Sequence, residues 1–343
     1  MGLLIGVDVG GTKVLAGEVG AGGGILRTAT RRTPGRRVSV TSLEDALTAA
    51  VREVAGNRTP DGIGLAAAGF VDVAGERVMF APHLPWAGEP VRRRLTERWG
   101  APVTLHNDAD CAAHAESRLG AARGASSALM VTMGTGIGGA LVMGGTLVRG
   151  ANGMAGEFGH MQVVPDGRMC ECGRYGCWEQ YSSGNALVRF ARARVIAEPT
   201  VLTELCQGQP EQLTGPMVTA AAEDGDLVAR QAFASVGDWL GVGLAGLVAA
   251  FDPEVIVVGG GVSAAGDRLL DPARIALGRA LVGAEHRVVP EIRVAELGPG
   301  PASSGRRCWC RTPDGRSPVG RRRYRTAPLS SGSRGSRFIF RTR

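Results

Sequence analysis

Three apolar runs, each followed at once by a glycine-rich turn, do most to constrain the fold of this 343-residue chain. The runs lie at 3–9, 127–132 and 254–258, and the turns at 10–11, 134–139 and 259–261. Segments with helical character lie between them, at 43–54, 108–119 and 227–251, and after the last of them, at 272–281. Strands that alternate with helices predict an α/β fold.

Glycine turns that directly follow strands can present backbone N–H groups to phosphate oxygens. One such turn is weak evidence, because an ordinary hairpin turn looks the same, but three together predict contacts to the phosphates and adenosine of ATP. Asp8 is a candidate to hold Mg²⁺ through water. A P-loop sequence is absent, and a hairpin rather than a helix is expected after 134–139, which argues against a dinucleotide site. The candidate nucleotide-binding residues are Asp8, Gly10, Gly11, Thr12, Lys13, Gly134, Thr135, Gly136, Gly259 and Gly260.

Three cysteines and one histidine have the spacing of a metal site. Cys170, Cys172 and Cys177 form Cys-x-Cys-x₄-Cys, and His160 lies ten residues upstream of the first. Three thiolates and an imidazole make a closed tetrahedral set, which is typical of structural rather than catalytic zinc. The alternative is three free thiols in a reducing compartment.

Carboxylates near these segments are candidates for acid–base chemistry and sugar binding. Phosphoryl transfer needs a carboxylate that accepts the hydroxyl proton, and Asp108 is the best placed because it follows a predicted strand. The alternative is an Asp108 that caps the next helix. Asn107 suits a sugar hydroxyl, and Asp110 is expected to be a surface acid compatible with the helix dipole. Glu157 and Glu179 flank the cysteine segment and can converge on a polyhydroxy ligand, although each alone is typical of a solvated surface.

Charge is unevenly distributed along the chain. Lys13 is its single lysine, and 12 of the 39 basic residues lie in 300–343 with one acid, so the remainder is mildly acidic despite a net charge of +7. This balance argues against a nucleic-acid partner.

The uncharged segment 124–148 is long enough to span a bilayer, but its seven glycines favour strands and a hairpin. Without an evident secretory signal, a cytoplasmic protein with no membrane partner is expected.

These segments together resemble the ROK family of bacterial repressors and sugar kinases, and within it the ATP-dependent glucokinases of actinobacteria. The likeness runs from about residue 3 to residue 298. Its most specific part is the combination of Glu157-x-x-His160 with the cysteine segment, whereas the Asp8 loop alone indicates only the wider superfamily of actin-like ATPases and sugar kinases. The segments that carry the resemblance are 6–13, 107–109, 134–139, 156–160, 170–179 and 257–263.

The resemblance implies two actin-like, ribonuclease H-like α/β domains around a cleft, at 1–105 and 106–299, with a zinc-bound loop. It implies transfer of phosphate from ATP, with Mg²⁺, to the 6-hydroxyl of glucose, with Asp108 as general base. The assembly would be a homodimer or homotetramer. The sugar would be bound by the backbone at Gly69 and by Asn107, Asp108, Glu157, His160 and Glu179. The structural zinc ion would be held by His160, Cys170, Cys172 and Cys177, and ATP by Gly11, Thr12, Thr135, Gly136 and Gly260.

The chain departs from the family pattern at two places. His83 stands where the family usually has Asn, which weakens the prediction of sugar specificity. From Gly300 the chain becomes rich in Arg, Gly and Pro where relatives continue into a helix, so we expect 300–343 to be a disordered basic tail that results from a reading-frame shift. The alternative functions are a ROK kinase for another hexose or N-acetylhexosamine, a sugar-responsive repressor, and a kinase inactivated by its altered C-terminus. A repressor needs a DNA-binding domain before the Asp8 loop, and seven residues precede it.

Overall fold

The computed structural model describes residues 2–20, 23–35 and 38–297, so the predicted basic tail at 300–343 lies outside the described residues. Strands and helices alternate along this part of the chain, which confirms the α/β class. The strands are β1 (Leu4–Val9), β2 (Lys13–Val19), β3 (Ile25–Arg32), β4 (Gly62–Ala67), β5 (Phe70–Val71), β6 (Val78–Phe80), β7 (Val103–Asn107), β8 (Ala128–Met133), β9 (Ile137–Met143), β10 (Thr146–Leu147), β11 (Val255–Gly259) and β12 (Glu291–Val294). The helices are α1 (Val40–Ala55), α2 (Val91–Trp99), α3 (Asp108–Leu119), α4 (Gly184–Arg192), α5 (Leu202–Leu205), α6 (Gly215–Glu223), α7 (Leu227–Phe251) and α8 (Asp267–Ala280).

The first sheet has the strand order β3-β2-β1-β4-β7. Antiparallel hairpins join β1, β2 and β3, whereas β4 and β7 continue the sheet in parallel with β1. The parallel strands are apolar runs, as expected for strands buried on both faces, and Val7 and Leu65 are at most 1 % exposed. Because the carboxyl ends of parallel strands share one edge, Gly10, Gly69 and Asn107 lie at the same edge of the sheet.

The second sheet repeats this order as β10-β9-β8-β11-β12. Its first three strands are again antiparallel, and β11 and β12 again run parallel to β8. The uncharged segment 124–148 therefore forms strands and a hairpin, as predicted. The carboxyl ends of β8 and β11 are adjacent, so the glycine loops that follow these two strands are neighbours.

Helix α7 runs unbroken for 25 residues despite its glycines. Three of them allow close packing: a Cβ would lie 2.5 Å from the carbonyl oxygen of Leu269 at Gly237, 2.3 Å from that of Ala273 at Gly241, and 2.0 Å from the indole of Trp178 at Gly243. By length and composition α7 could cross a membrane, but 61 % of its most apolar stretch is buried inside the structure. We therefore interpret α7 as a core helix.

The chain passes from the first sheet to the second at the connection between β7 and α3. β7 pairs with β4 as far as Asn107, so the first sheet extends two residues past the predicted division at residue 105. Helix α3 begins at Asp108 and packs against β8 and β9. Residues at this connection consequently contact elements of both sheets.

Candidate active site

Asn107 and Asp108 have separate roles at the start of α3. The Oδ1 atom of Asn107 accepts hydrogen bonds from the backbone N–H groups of Ala109 (2.8 Å) and Asp110 (3.1 Å), so Asn107 caps the helix. Its Nδ2 donates to the carbonyl oxygen of Gly69 at 3.1 Å. The alternative in which Asp108 is the cap is therefore wrong. Asp108 is the first helical residue, and its Oδ1 also accepts a hydrogen bond from the backbone N–H of Ala109 at 2.9 Å.

Asp110 is buried, and the expectation of a surface acid is wrong. The residue is 3 % exposed, and its Oδ2 accepts a hydrogen bond from Nε of Arg149 at 3.2 Å. Burial raises the pKa of the Asp110 carboxyl to about 6, although the Arg149 charge opposes the rise. The two residues are 39 positions apart, so no local pattern could reveal the pair.

The carboxyl group of Glu157 lies near three other carboxylates. Burial raises the pKa of Asp108. Burial also raises the pKa of Glu157 to about 7, and the charges of Asp108, Asp110 and Glu179 add to that rise. The structure thus brings together three of the predicted sugar ligands. When they are ionised, these carboxylates only accept hydrogen bonds, so in that state the cluster favours a ligand that donates them, such as a polyol.

The predicted zinc ligands lie together. The ligand atoms of His160, Cys170, Cys172 and Cys177 are all within 4.8 Å of one another. The Sγ atoms of Cys172 and Cys177 are 3.6 Å apart, and Sγ of Cys170 is 3.7 Å from Nδ1 of His160. A tetrahedral zinc ion with Zn–S bonds of about 2.3 Å separates its ligands by about 3.8 Å, so these residues fit the ion.

Glu179 lies between the cysteine cluster and the second glycine loop. Its Oε1 is 3.1 Å from Sγ of Cys170 and 3.7 Å from Nδ1 of His160. Its Oε2 is 3.4 Å from the backbone nitrogen of Ile137, where the loop ends. A Cβ on Gly136 would lie 2.3 Å from Oε2, so the carboxylate fits only because residue 136 is glycine. The cysteine segment, a predicted sugar ligand and a predicted nucleotide loop are therefore in direct contact.

The first glycine loop, with Gly10, Gly11 and Thr12, connects β1 to β2; Asp8 lies near the end of β1, and Lys13 begins β2. The backbone nitrogen of Gly10 donates to the carbonyl oxygen of Lys13 at 3.1 Å, which closes the turn. Thr33, only 5 % exposed, supports it: its Oγ1 donates to the Gly10 carbonyl at 2.7 Å, and its backbone nitrogen donates to the Thr12 carbonyl at 3.0 Å. The two bonds from Thr33 use carbonyl oxygens of the turn, whereas the N–H of Gly10 is used within the turn, so phosphate would be met by other N–H groups of this loop. No sequence pattern indicated Thr33.

The start of α4 holds the second glycine loop, between β8 and β9. The backbone nitrogen of Gly184 donates to the carbonyl of Gly134 at 2.8 Å, and that of Asn185 donates to the carbonyl of Thr135 at 3.3 Å. Within the loop, the Gly134 nitrogen donates to the Gly136 carbonyl at 3.0 Å. The carbonyl oxygens of this loop are thus also held by protein groups.

The third loop begins at Gly259, the last residue of β11, and packs on the end of β8. Gly260 has a φ of +87°, and a Cβ there would lie 2.4 Å from the carbonyl oxygen of Met133. This position requires glycine for both its conformation and its space. Oγ of Ser263 donates to the Gly260 carbonyl at 2.8 Å. The second and third loops are therefore packed side by side.

Not all glycines of the second loop segment are explained by a ligand. A Cβ on Gly139 would lie 2.2 Å from the ring of Phe158 and 2.6 Å from the carbonyl oxygen of Gly156. Close packing therefore accounts for Gly139. Its packing brings the segment that contains Glu157 and His160 against β9.

His83, which departs from the family pattern, lies against the first glycine loop. A Cβ on Gly11 would lie 2.7 Å from the Cβ of His83. The residue is exposed. The departure therefore lies beside a predicted nucleotide loop.

Comparisons with known proteins agree with this arrangement. The sequence matches the ROK family over residues 4–312, which extends past the predicted start of the tail at residue 300. It is 41 % identical over 317 residues to a glucokinase of Streptomyces coelicolor, covering 92 % of this chain and 99 % of the relative. It is 36 % identical over 297 residues to a glucokinase of Halalkalibacterium halodurans, covering 83 % and 89 %.

A solved structure of a ROK family glucokinase from Streptomyces griseus, in complex with glucose and AMPPNP, is similar to this chain. The TM-score is 0.82 at 43 % sequence identity, and the match covers 89 % of this chain and 98 % of that chain. Sequence and structure agree that the chain belongs to the ROK family.

Proposed function

We propose that this chain is a hexose kinase that transfers the γ-phosphoryl group of ATP to glucose and forms glucose 6-phosphate. The observation that carries the proposal is the position of Asp108, which begins α3 between the two sheets and lies near Glu157, while the side chain of Asn107 caps the helix. The glucokinase relatives support the sugar and the phosphate donor.

Asp108 acts as the general base and accepts the proton of the sugar 6-hydroxyl. A base works best when its pKa lies near the working pH, and burial shifts the pKa of Asp108 upward from 3.8. Phosphoryl transfer has a loose transition state and needs little covalent help, so positioning of the hydroxyl and the phosphate provides most of the catalysis. The hydrogen bonds of Asn107 contribute to that positioning, since they fix the first turn of α3.

The remaining sugar hydroxyls are bound by Asn107, Glu157, His160 and Glu179, with the backbone at Gly69 as part of the pocket wall. Asn107 and Gly69 are already joined by a hydrogen bond. Nδ1 of His160 faces the thiols, which leaves Nε2 for a sugar hydroxyl. Zinc, when bound, supplies a structural cross-link between His160 and the cysteines that fixes the orientation of this imidazole.

ATP is held by the three glycine loops, and Asp8 holds Mg²⁺ through water. The first loop belongs to the first sheet, and the other two belong to the second. This division supports two actin-like domains around a cleft, with nucleotide contacts on both sides. We also propose that the protein is cytoplasmic, and that it is a homo-oligomer, as the resemblance implies.

The test is sugar-dependent ADP release by the full-length chain with Mg-ATP, compared for glucose, mannose, fructose and N-acetylglucosamine. Glucose should be the preferred sugar. Asp108→Asn keeps the size of the side chain but removes the base, so kcat should fall by about 10²- to 10⁴-fold with little change in glucose affinity. Asp238→Asn, which changes an acid that is 54 % exposed on α7, is the matched control.

Two results would contradict the proposal. One is a wild-type chain that phosphorylates none of these sugars, or that prefers another to glucose. The other is an Asp108→Asn variant that keeps the turnover of the Asp238→Asn control.

A further inference from the structure

We propose that Arg149 is a positioning residue for the phosphoryl transfer, because its guanidinium joins the helix that carries the base to a hairpin beside the first sheet. The inference rests on the proposed function of Asp108. Arg149 follows β10, at the edge of the second sheet. All three of its side-chain nitrogens donate hydrogen bonds: Nε to Asp110 Oδ2 (3.2 Å), Nη1 to the Val73 carbonyl (3.1 Å) and Nη2 to the Asp72 carbonyl (3.1 Å).

The contact of Arg149 with Asp110 fixes the start of α3. Asp110 lies two residues after Asp108, in the first turn of the helix. The side chains of Asp110 and Arg149 are 5 % and 16 % exposed, so the pair is largely shielded from water. An unpaired carboxylate at this depth is costly and would take up a proton or move toward solvent. Either response would disturb the turn in which Asp108 lies.

The other end fixes the hairpin of β5 and β6. Oδ1 of Asp72 accepts from the backbone nitrogens of Glu76 (2.7 Å) and Arg77 (3.0 Å), which makes the hairpin turn rigid. β5 begins at Phe70, directly after Gly69, which accepts from Asn107. The hairpin is therefore tied to the start of α3 at two points, through Gly69 and through Arg149.

The segment after Arg149 reaches the same hairpin and then the sugar ligands. Gly153 has a φ of +77°, and a Cβ there would lie 2.5 Å from the carbonyl oxygen of Val71. Four residues later the chain reaches Glu157. Arg149 thus fixes the relative positions of Gly69, Asp108 and the segment that leads to Glu157. Gly69, Asp108 and Glu157 are all predicted to contact the sugar. A misplacement of about 1 Å at such a site can lower the rate about 100-fold.

The experiment compares Arg149→Met, Arg149→Lys, Asp110→Asn and the double variant Asp110→Asn/Arg149→Met in the full-length chain. Arg149→Met should lower kcat about 10- to 100-fold while the KM for ATP stays within about twofold. Arg149→Lys keeps the charge and should restore part of kcat. The double variant should be no slower than Arg149→Met alone, because both changes break the same pair.

A matched control separates positioning from stability. Arg94→Met removes a comparable ion-pair network, with Glu44 and Glu89, away from the site. It should lower the melting temperature without lowering kcat. Hydrogen exchange at the amides of 72–77 should become faster in Arg149→Met but not in Arg94→Met, and this readout does not depend on turnover.

The possible outcomes are distinct. If the wild type is active, three results overturn the positioning role and leave the kinase assignment intact. In the first, Arg149→Met keeps the wild-type kcat; in the second, its kcat falls no more than that of Arg94→Met. In the third, the decreases in kcat of Arg149→Met and Asp110→Asn multiply in the double variant. Unchanged exchange at 72–77 in Arg149→Met also overturns it. A wild type without kinase activity overturns the proposed function, and the positioning role with it.

Discussion

Replacing Glu157 by glutamine should separate stability from activity. Burial and neighbouring carboxylates raise the pKa of Glu157 from 4.5 to about 7. An acid whose pKa is raised by folding holds its proton more tightly in the native state than in the unfolded state. It therefore has no effect on stability at low pH and lowers the free energy of unfolding as the pH rises through this window. The shift corresponds to about 3 kcal/mol at pH 8 and less than about 1 kcal/mol at pH 5.

Glu157→Gln removes this cost because glutamine has no charge to bury. In the sugar-free protein, we expect the variant to be more stable than the wild type by about 3 kcal/mol at pH 8 and by less than about 1 kcal/mol at pH 5. Urea unfolding at the two pH values measures the difference. Glucose affinity should fall in the same variant, since a predicted hydroxyl acceptor is lost.

Glu97→Gln is the matched control, because the Glu97 side chain on α2 is 71 % exposed. It should show no gain that depends on pH. The reasoning is refuted if Glu157→Gln gains nothing at pH 8, if its gain is equal at the two pH values, or if the control gains as much.

Two further predictions concern the loops. Gly260→Ala should raise the KM for ATP and lower the melting temperature. The φ of +87° alone costs a residue with a Cβ about 1–3 kcal/mol, and the Met133 carbonyl at 2.4 Å from that Cβ adds a steric clash. Steady-state kinetics and thermal unfolding check this, and an unchanged KM for ATP would contradict it. Cys172→Ser should lower the amount of zinc bound per chain from about one equivalent, and it should weaken glucose binding through His160. Metal analysis and glucose titration check this. A zinc content equal to that of the wild type would rule out the zinc site.

Local sequence was sufficient where function depends on neighbouring residues. The strands before each glycine loop, the helix after Asp108 and the Cys-x-Cys-x₄-Cys segment are local patterns, and the structure has the strands, the helix and the ligand cluster there. Each of these features is decided within about ten residues of chain, by apolar periodicity or by ligand spacing.

Features that depend on distant partners escaped prediction. Asp110 has the sequence environment of an exposed acid in a first helical turn, and its burial depends on Arg149, 39 residues later. Thr33 supports the first glycine loop from the far end of β3. At Asn107 and Asp108 either side chain can cap a helix, and the choice was made by the contact between Asn107 and Gly69, 38 residues apart.

The shared strand order of the two sheets makes the β1–β2 turn and the β8–β9 turn the same element of a duplicated unit. Both turns are predicted to bind phosphate oxygens, so one ATP molecule would be bound by two copies of the same hairpin. The nucleotide then behaves as a cross-link between the two halves of the molecule. The affinity for ATP would then depend on the distance between those halves. A substitution far from either turn would change ATP binding whenever it alters that distance.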